Sequence, residues 1–103
     1  MIMTYHAQKV RVDRMNYMID NFYSDTVIIE GPSRFEGFTA RVYHTGLTLI
    51  ISDSTGELVT AYMISPKMLM TMYRKLRRIP SNQQIKRITD NYKQYCKYEK
   101  ARK

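Results

Sequence analysis

The 103 residues are the size of one small domain, and a hydrophobic fraction of 44% is sufficient for a single packed core. Cys96 is the only cysteine, so no intramolecular disulfide can form, and this favours a reducing cytoplasm. Apolar runs such as Leu49-Ile50-Ile51 are too short to span a membrane, and Met1–Val10 lacks the apolar core of a signal peptide. These features exclude disulfide-stabilised, secreted and membrane-spanning classes, and we expect a cytoplasmic protein.

The net charge of +8 is concentrated in the last third of the chain. Residues 1–73 contain six Lys and Arg against seven Asp and Glu, whereas residues 74–103 contain eleven against two. Clustered cations displace counterions from phosphates, so this asymmetry predicts nucleic-acid binding, although a solubilising helix has the same pattern. We expect one domain over 1–103, with an α+β body at 1–79 and a basic C-terminal helix at 80–103.

The first predicted element is an amphipathic helix from Ala7 to Tyr23. Its apolar residues recur at helical spacing and share one arc: Val12, Met15, Met18, Ile19, Phe22 and Tyr23. Arg11 falls inside this arc and Arg14 lies at its edge. Both arginines are therefore expected to point towards, or to rim, the surface that the helix covers.

Four strands are predicted next. Thr26–Glu30 is rich in β-branched residues and is followed by a turn-rich loop with Arg34 at its centre. The segments Phe38–Tyr43, Leu47–Ser52 and Glu57–Ile64 also have strand character, and the two short connections between them end in Gly. This arrangement is typical of an antiparallel meander.

Alternation along the meander predicts one apolar face and one polar face. The expected apolar face consists of Phe38, Ala40, Val42, Leu47, Leu49, Ile51, Val59, Ala61 and Met63. The expected polar face consists of Thr39, Arg41, Tyr43, Thr48, Ile50, Ser52, Thr60 and Tyr62. A cation, two phenols and several hydroxyls on one sheet suit a phosphodiester or a stacked base, whereas a solvated outer face alternates in the same way.

Two helices are predicted to end the chain, which makes the fold class α+β. Ser65-Pro66 has the residues of a helix start, and that helix runs to Arg78. After Ile79–Asn82 the last helix has the apolar stripe Ile85, Ile88, Tyr92 and Tyr95. The candidate nucleic-acid-binding residues are Arg41, Tyr43, Arg77, Arg78, Lys86, Lys93, Lys97 and Lys100, of which the four lysines share one sector of the last helix.

The sequence lacks the motifs of metal and cofactor sites. One cysteine and two histidines cannot form a usual structural zinc site, and no glycine-rich phosphate loop is present. Cys96 has no patterned His or Asn partner, so it is not a candidate nucleophile. We expect no metal and no cofactor.

A His- and Arg-bearing first helix, a four-stranded antiparallel sheet, and the segments Tyr43–Leu47 and Thr60–Tyr62 follow one another along the chain. This order resembles the barnase, EndoU, colicin and RelE ribonuclease superfamily, in particular its small phage and toxin-like members. The resemblance covers roughly residues 5–65, and its motifs are loose. It implies RNA cleavage without a metal ion, in which the ribose 2′-hydroxyl is activated and a cation stabilises the phosphate.

The resemblance also implies roles for particular residues. His6 would be the general acid or base, Arg11 or Arg14 would hold the phosphate, and Thr60 with Tyr62 would form the pair on the last strand. These five are the candidate catalytic residues. The chain departs from the pattern because it lacks a second acid or base on the sheet, unless His44 serves.

The leading hypothesis is a nucleic-acid-binding protein of phage or mobile-element type, directed to RNA rather than DNA, in which ribonuclease activity is left open. One alternative is a non-enzymatic DNA-binding regulator, or an inhibitor of a host nucleic-acid enzyme or defence system. Another is a protein-interaction module that dimerises through its C-terminal helices. The expected partners are nucleic acid, a host or antitoxin-like protein, or a second copy of the chain, but not a membrane.

Overall fold

The computed structural model describes the backbone of residues 5–101 and the side chains of residues 11–101. The helices and strands are α1 (Tyr5–Phe22), β1 (Val27–Pro32), β2 (Phe38–Tyr43), β3 (Leu47–Ser52), β4 (Leu58–Met63), α2 (Pro66–Lys75) and α3 (Asn82–Ala101). The four strands form one antiparallel sheet in the order β1-β2-β3-β4. The predicted α+β class and meander are confirmed.

One face of the sheet, called here the front face, packs against α1. Met18 and Phe22 are four residues apart on α1 and are almost fully buried. They form one core cluster with Leu47, Leu49 and Met63 of the sheet. The predicted apolar arc of α1 therefore faces the sheet through Met18 and Phe22, whereas its outer members Val12 and Tyr23 are 53% and 56% exposed.

The turn His44–Gly46 contains three residues and sets the pairing of β2 with β3. Val42 is opposite Thr48, so these two side chains share a face. The front face carries Thr39, Arg41, Tyr43, Leu47, Leu49, Ile51, Ala61 and Met63, and the rear face carries Phe38, Ala40, Val42, Thr48, Ile50, Ser52, Thr60 and Tyr62. The predicted faces are therefore wrong for β2, because a turn with an odd number of residues aligns positions of equal parity.

The rear face is not a solvated polar surface. Thr48 is only 1% exposed, although the alternation places it on the predicted polar face. The helix α2 covers this part of the sheet, and its buried Leu69 and Tyr73 form a second core cluster with Val42. Because β3 is buried on both faces, it has no outward side for solvent.

The start and end of α2 follow from local chemistry. Ser65 precedes the helix, and its hydroxyl accepts a hydrogen bond from the Met68 backbone N–H at 3.2 Å. Pro66 occupies the first turn, where its missing N–H costs nothing. The helix ends at Lys75, earlier than predicted, because Arg77 adopts a positive φ of 55° that terminates it.

The last helix, α3, lies across the end of the sheet at the β2–β3 turn. Its Ile88 belongs to the cluster beneath α2, whereas its Tyr95 belongs to the cluster beneath α1. Between them, the Asn91 amide donates a hydrogen bond to the Thr45 carbonyl at 3.5 Å. The helix therefore joins both layers, and within residues 5–101 no helix is long and apolar enough to cross a membrane.

Substitutions of two buried threonines test this packing. The Thr48 hydroxyl has no hydrogen-bond partner among the described residues, whereas the Thr45 hydroxyl donates to the Phe22 carbonyl at 2.6 Å. An unpaired buried hydroxyl costs about 1–3 kcal/mol, so Thr48→Val should raise the free energy of unfolding by about 1 kcal/mol. Thr45→Val should lower it by at least about 1 kcal/mol, since it leaves a carbonyl unpaired.

Urea denaturation of both variants measures these changes. Equal destabilisation by the two substitutions would contradict the burial and the register described for β3.

Candidate nucleic-acid interface

The lysines of α3 form a basic stripe, defined by Lys86, Lys93, Lys97 and Lys100. All four are exposed and lie within about 60° of one another around the helix axis, at 100° per residue. The stripe is about 21 Å long, at 1.5 Å per residue. Asp90 lies about 20° beyond the edge of this sector, so this side of α3 carries a net charge of +3 rather than +4.

The arginines that form ion pairs within the protein are distinct from the lysines of the basic stripe. Within residues 11–101 the ion pairs are Arg14 with Glu99, at 2.6 Å, and Arg41 with Glu30, at 3.1 Å. Neither pair involves the basic stripe. The stripe therefore has cations that are available to an external anion.

The connection between α2 and α3 adds further exposed cations. Arg77 and Arg78 are exposed there, and the Arg78 N–H donates to the Tyr73 carbonyl at 2.9 Å. Arg77 has the left-handed backbone that glycine adopts with least strain. The next side chain, Ile79, is 95% exposed. The connection therefore presents two arginines and an isoleucine to solvent.

Aromatic rings lie beside part of the basic stripe. Tyr17 of α1 stacks on Tyr98 of α3 with ring centroids 3.7 Å apart and planes 4° apart. Lys93, Lys97 and these two rings line one shallow depression. Cations next to aromatic rings are a combination that suits single-stranded nucleic acid.

His44 lies at the other end of α3, close to its first turns. The half-buried ring is 3.1 Å from the Ser24 hydroxyl through Nδ1, and its Nε2 is 3.5 Å from the Arg87 guanidinium. These contacts hold the ring between the β2–β3 turn and α3. His44 therefore lies at the end of the sheet that α3 covers, in contact with Ser24 and with Arg87 of that helix.

Of the five candidate catalytic residues, the four whose side chains the structure describes do not converge. The His6 side chain lies outside the described residues. The Arg11 guanidinium is exposed and reaches the Val59 carbonyl at 3.5 Å, on the front side of β4. Thr60 and Tyr62 point from the rear face, so the sheet separates them from the arginines of α1.

The Arg14 side chain is bound to residues of α3. Its guanidinium donates to the Tyr95 hydroxyl at 2.7 Å and pairs with Glu99, which ties α1 to α3. The hydrogen bond to Tyr95 is the main cause that raises the pKa of Arg14 above its ordinary value. Burial raises the pKa of the Tyr95 phenol, and the hydrogen bond from Arg14 opposes that shift. Arg14, one of the two arginines predicted to hold the phosphate, is thus already bound to protein groups.

Arg41 and Tyr43 do not belong to a polar binding face. Both lie on the front face, opposite to Thr60 and Tyr62, and the prediction that grouped all four is wrong. The Arg41 guanidinium makes two hydrogen bonds to the Glu30 carboxylate, at 3.1 and 3.3 Å. Tyr43 is 3% exposed, so its ring is not accessible to a base.

The structure contains a groove on the rear face that sequence reasoning missed. Its floor comes from all four strands, and one wall comes from Met68 and Met72 of α2. The loop between β1 and β2 forms another wall, where Arg34 lies over the Phe35 ring at 5.3 Å from its centroid. The signal was present in β3, where Ile50 stands between Leu49 and Ile51, so that apolar residues lie on both faces of this strand. Such a strand indicates a sheet that is covered on both sides.

Comparison with known proteins finds no family model, curated protein or solved structure that matches this chain. The fold is described by its class alone, and the resemblance to the barnase and RelE superfamily stays a prediction. Among the described residues, no three His, Cys, Asp or Glu side chains lie close enough together to hold a metal ion.

The contrast between the two arginines of α1 gives a stability test. Arg14→Gln should lower the free energy of unfolding by about 1 kcal/mol, because it breaks a partly exposed ion pair and the bond to Tyr95. Arg11→Gln should change it by less than about 0.5 kcal/mol, because its side chain is exposed. Thermal and urea denaturation measure both, and equal effects would contradict the structural role of Arg14.

Proposed function

We propose that the protein binds nucleic acid through the basic stripe of α3 and the arginines of the α2–α3 connection. The observation that carries the proposal is the set of exposed lysines along one side of α3, which have no ion-pair partner among the described residues. A stripe of about 21 Å is as long as about six base-pair steps along a duplex axis, at about 3.4 Å each. Several phosphates of a duplex are therefore within its reach.

The proposal is for binding without cleavage. A metal-independent ribonuclease needs an acid or base and a cation around one phosphate. Arg14 is bound to Tyr95 and Glu99, and Thr60 and Tyr62 lie across the sheet from the arginines of α1. This dispersal supports a binding protein. RNA incubated with the wild-type protein in EDTA, between pH 5 and 8, should stay intact.

RNA is the preferred partner within this proposal. The stacked rings of Tyr17 and Tyr98 lie beside Lys93 and Lys97, and unpaired bases of RNA stack on such rings. A single-stranded RNA should therefore bind more tightly than a duplex DNA of equal charge. Fluorescence anisotropy with labelled oligonucleotides compares the two.

Salt dependence tests the basic stripe. Neutralising Lys86, Lys93 and Lys97 to Gln removes three phosphate contacts. The slope of log binding constant against log salt should then become shallower by about 2.7 on duplex and about 2.1 on single strands, at about 0.9 and 0.7 per contact. Titrations at several salt concentrations provide the slope.

A control with the same charge change separates specific contacts from net charge. Arg11, Arg34 and Lys67 are exposed cations outside the stripe and the connection, and Gln at these three positions also removes three charges. This variant should keep a slope within about one unit of wild type, since long-range charge is screened beyond about 10 Å at 0.1 M salt. Equal slopes for the two triple variants would refute the interface.

Arg77 offers a test in which stability and binding change in opposite directions. Arg77→Gly should raise the free energy of unfolding by up to about 1 kcal/mol, because glycine adopts a φ of 55° without strain. The same change should weaken nucleic-acid binding, because one phosphate contact is lost. Unfolding and nucleic-acid binding are both measured on one preparation of the Arg77→Gly variant. An unchanged affinity for nucleic acid would show that Arg77 is not part of the interface.

A further inference from the structure

The rear-face groove has the size and shape of a binding site. Its volume is about 720 Å³, and it lies beneath α2 on the side of the sheet away from α1. Ile29, Ala40, Ile50 and Thr60, one from each strand, contribute to its floor. Strands lie about 4.8 Å apart, so this floor is about 14 Å wide, and an α-helix with its side chains is about 10–12 Å across.

The groove is the part of the rear face of the sheet that no helix among residues 5–101 covers. Helix α1 covers the front face and α3 lies across the end of the sheet, whereas α2 covers only one part of the rear face and leaves apolar side chains accessible. Phe35 is 58% exposed, Met68 54% and Tyr62 41%. A sheet that is apolar on both sides is stabilised by a helix layer on each. A second helix beside α2 would complete the rear layer.

The side chains of the groove favour protein over nucleic acid. Apart from Thr60, the floor residues named above are aliphatic. The α2 wall consists of methionines, which adapt to irregular apolar surfaces and recur where amphipathic helices bind. Nucleic-acid sites instead need several cations along a backbone. Among residues 11–101, Arg34 is the one charged side chain that lines the groove.

The charge at the rim of the groove indicates the sign of the charge that a partner would carry. Arg34 lies over the Phe35 ring at one wall, so a cation lies at the border of an apolar groove. Lys75 is on the same side of α2 as Met68 and Met72, but it does not line the groove. Glu36 is exposed in the same loop as Arg34, but it does not line the groove.

The same charges argue against a second copy of this chain. A symmetric dimer places one surface against itself, so it would bring a second Arg34 to the interface and no acidic residue from the lining of the groove. A partner with acidic residues beside its apolar stripe can instead form an ion pair with Arg34. We propose that the rear-face groove binds the apolar side of an amphipathic, acidic helix from another protein. This surface is separate from the basic stripe and independent of nucleic-acid binding.

A peptide selection tests the proposal. A displayed library of random 16-residue peptides is selected on wild-type protein, after removal of peptides that bind the Tyr62→Glu/Met68→Glu variant. Enriched peptides should carry apolar residues at i, i+3 or i+4, and i+7, with Asp or Glu between them. Peptides of this pattern should bind at micromolar affinity in fluorescence anisotropy.

Single variants localise the site. Tyr62→Glu and Met68→Glu should each weaken peptide binding by about tenfold or more, because apolar contact is lost and a like charge is added. Arg34→Glu should weaken it by about three- to tenfold and reduce its dependence on salt. Val12→Glu is the matched control: Val12 is 53% exposed on α1, and its replacement should change the affinity by less than about twofold. Thermal melting establishes that each variant is folded.

Several results would overturn the proposal. The selection could enrich no peptide, or only basic peptides, or peptides whose affinity is the same for the groove variants. Loss of RNA binding in Tyr62→Glu and Met68→Glu would make the groove a nucleic-acid site. A wild-type dimer in sedimentation that these variants convert to a monomer would show that the occupant is a second copy.

Discussion

The three-residue turn between β2 and β3 is the constraint on which the rest of the structure depends. The N–H of Ile64 bonds to the Gly46 carbonyl, and the Thr45 hydroxyl bonds to the last residue of α1, Phe22. Asn91 of α3 reaches the same turn. Gly46 has a φ of 94°, a backbone conformation that residues with a Cβ rarely adopt, so glycine is favoured at this position of the turn. One turn thereby connects α1, β4 and α3.

The turn also decides the chemistry of each face of the sheet. Its odd length places Val42 beside Thr48 and Tyr62, and it places Arg41 and Tyr43 on the opposite side. The apolar residues of β2 consequently face α2 rather than α1. An apolar rear face follows, and with it the groove that α2 leaves uncovered.

Charge is divided between structural and accessible positions. Arg14 and Arg41 are held by Glu99 and Glu30, and these pairs fix elements of the body to one another. The cations of α3 point away from its buried side, which Ile88 and Tyr95 form. A basic helix that is attached through its apolar stripe keeps its lysines exposed, which gives the proposed interface a rigid support.

The sequence by itself determined the class of the fold and the identity of nearly every element, because short-range signals set them. Helical spacing places Met18 and Phe22 on one side of α1, Ser65-Pro66 starts α2, and β2 and β3 have the predicted bounds. The sector shared by the lysines of α3 also follows from helix geometry alone.

Only the tertiary structure decided which side chains share a face, which arginines are occupied and where the groove lies. The alternation of β2 is compatible with either face, and the choice rests on pairing across the turn. Arg14 meets Tyr95 and Glu99 from a helix more than 80 residues later in the chain, which no local pattern encodes. These features depend on contacts between distant segments, and such contacts exist only when the chain is folded.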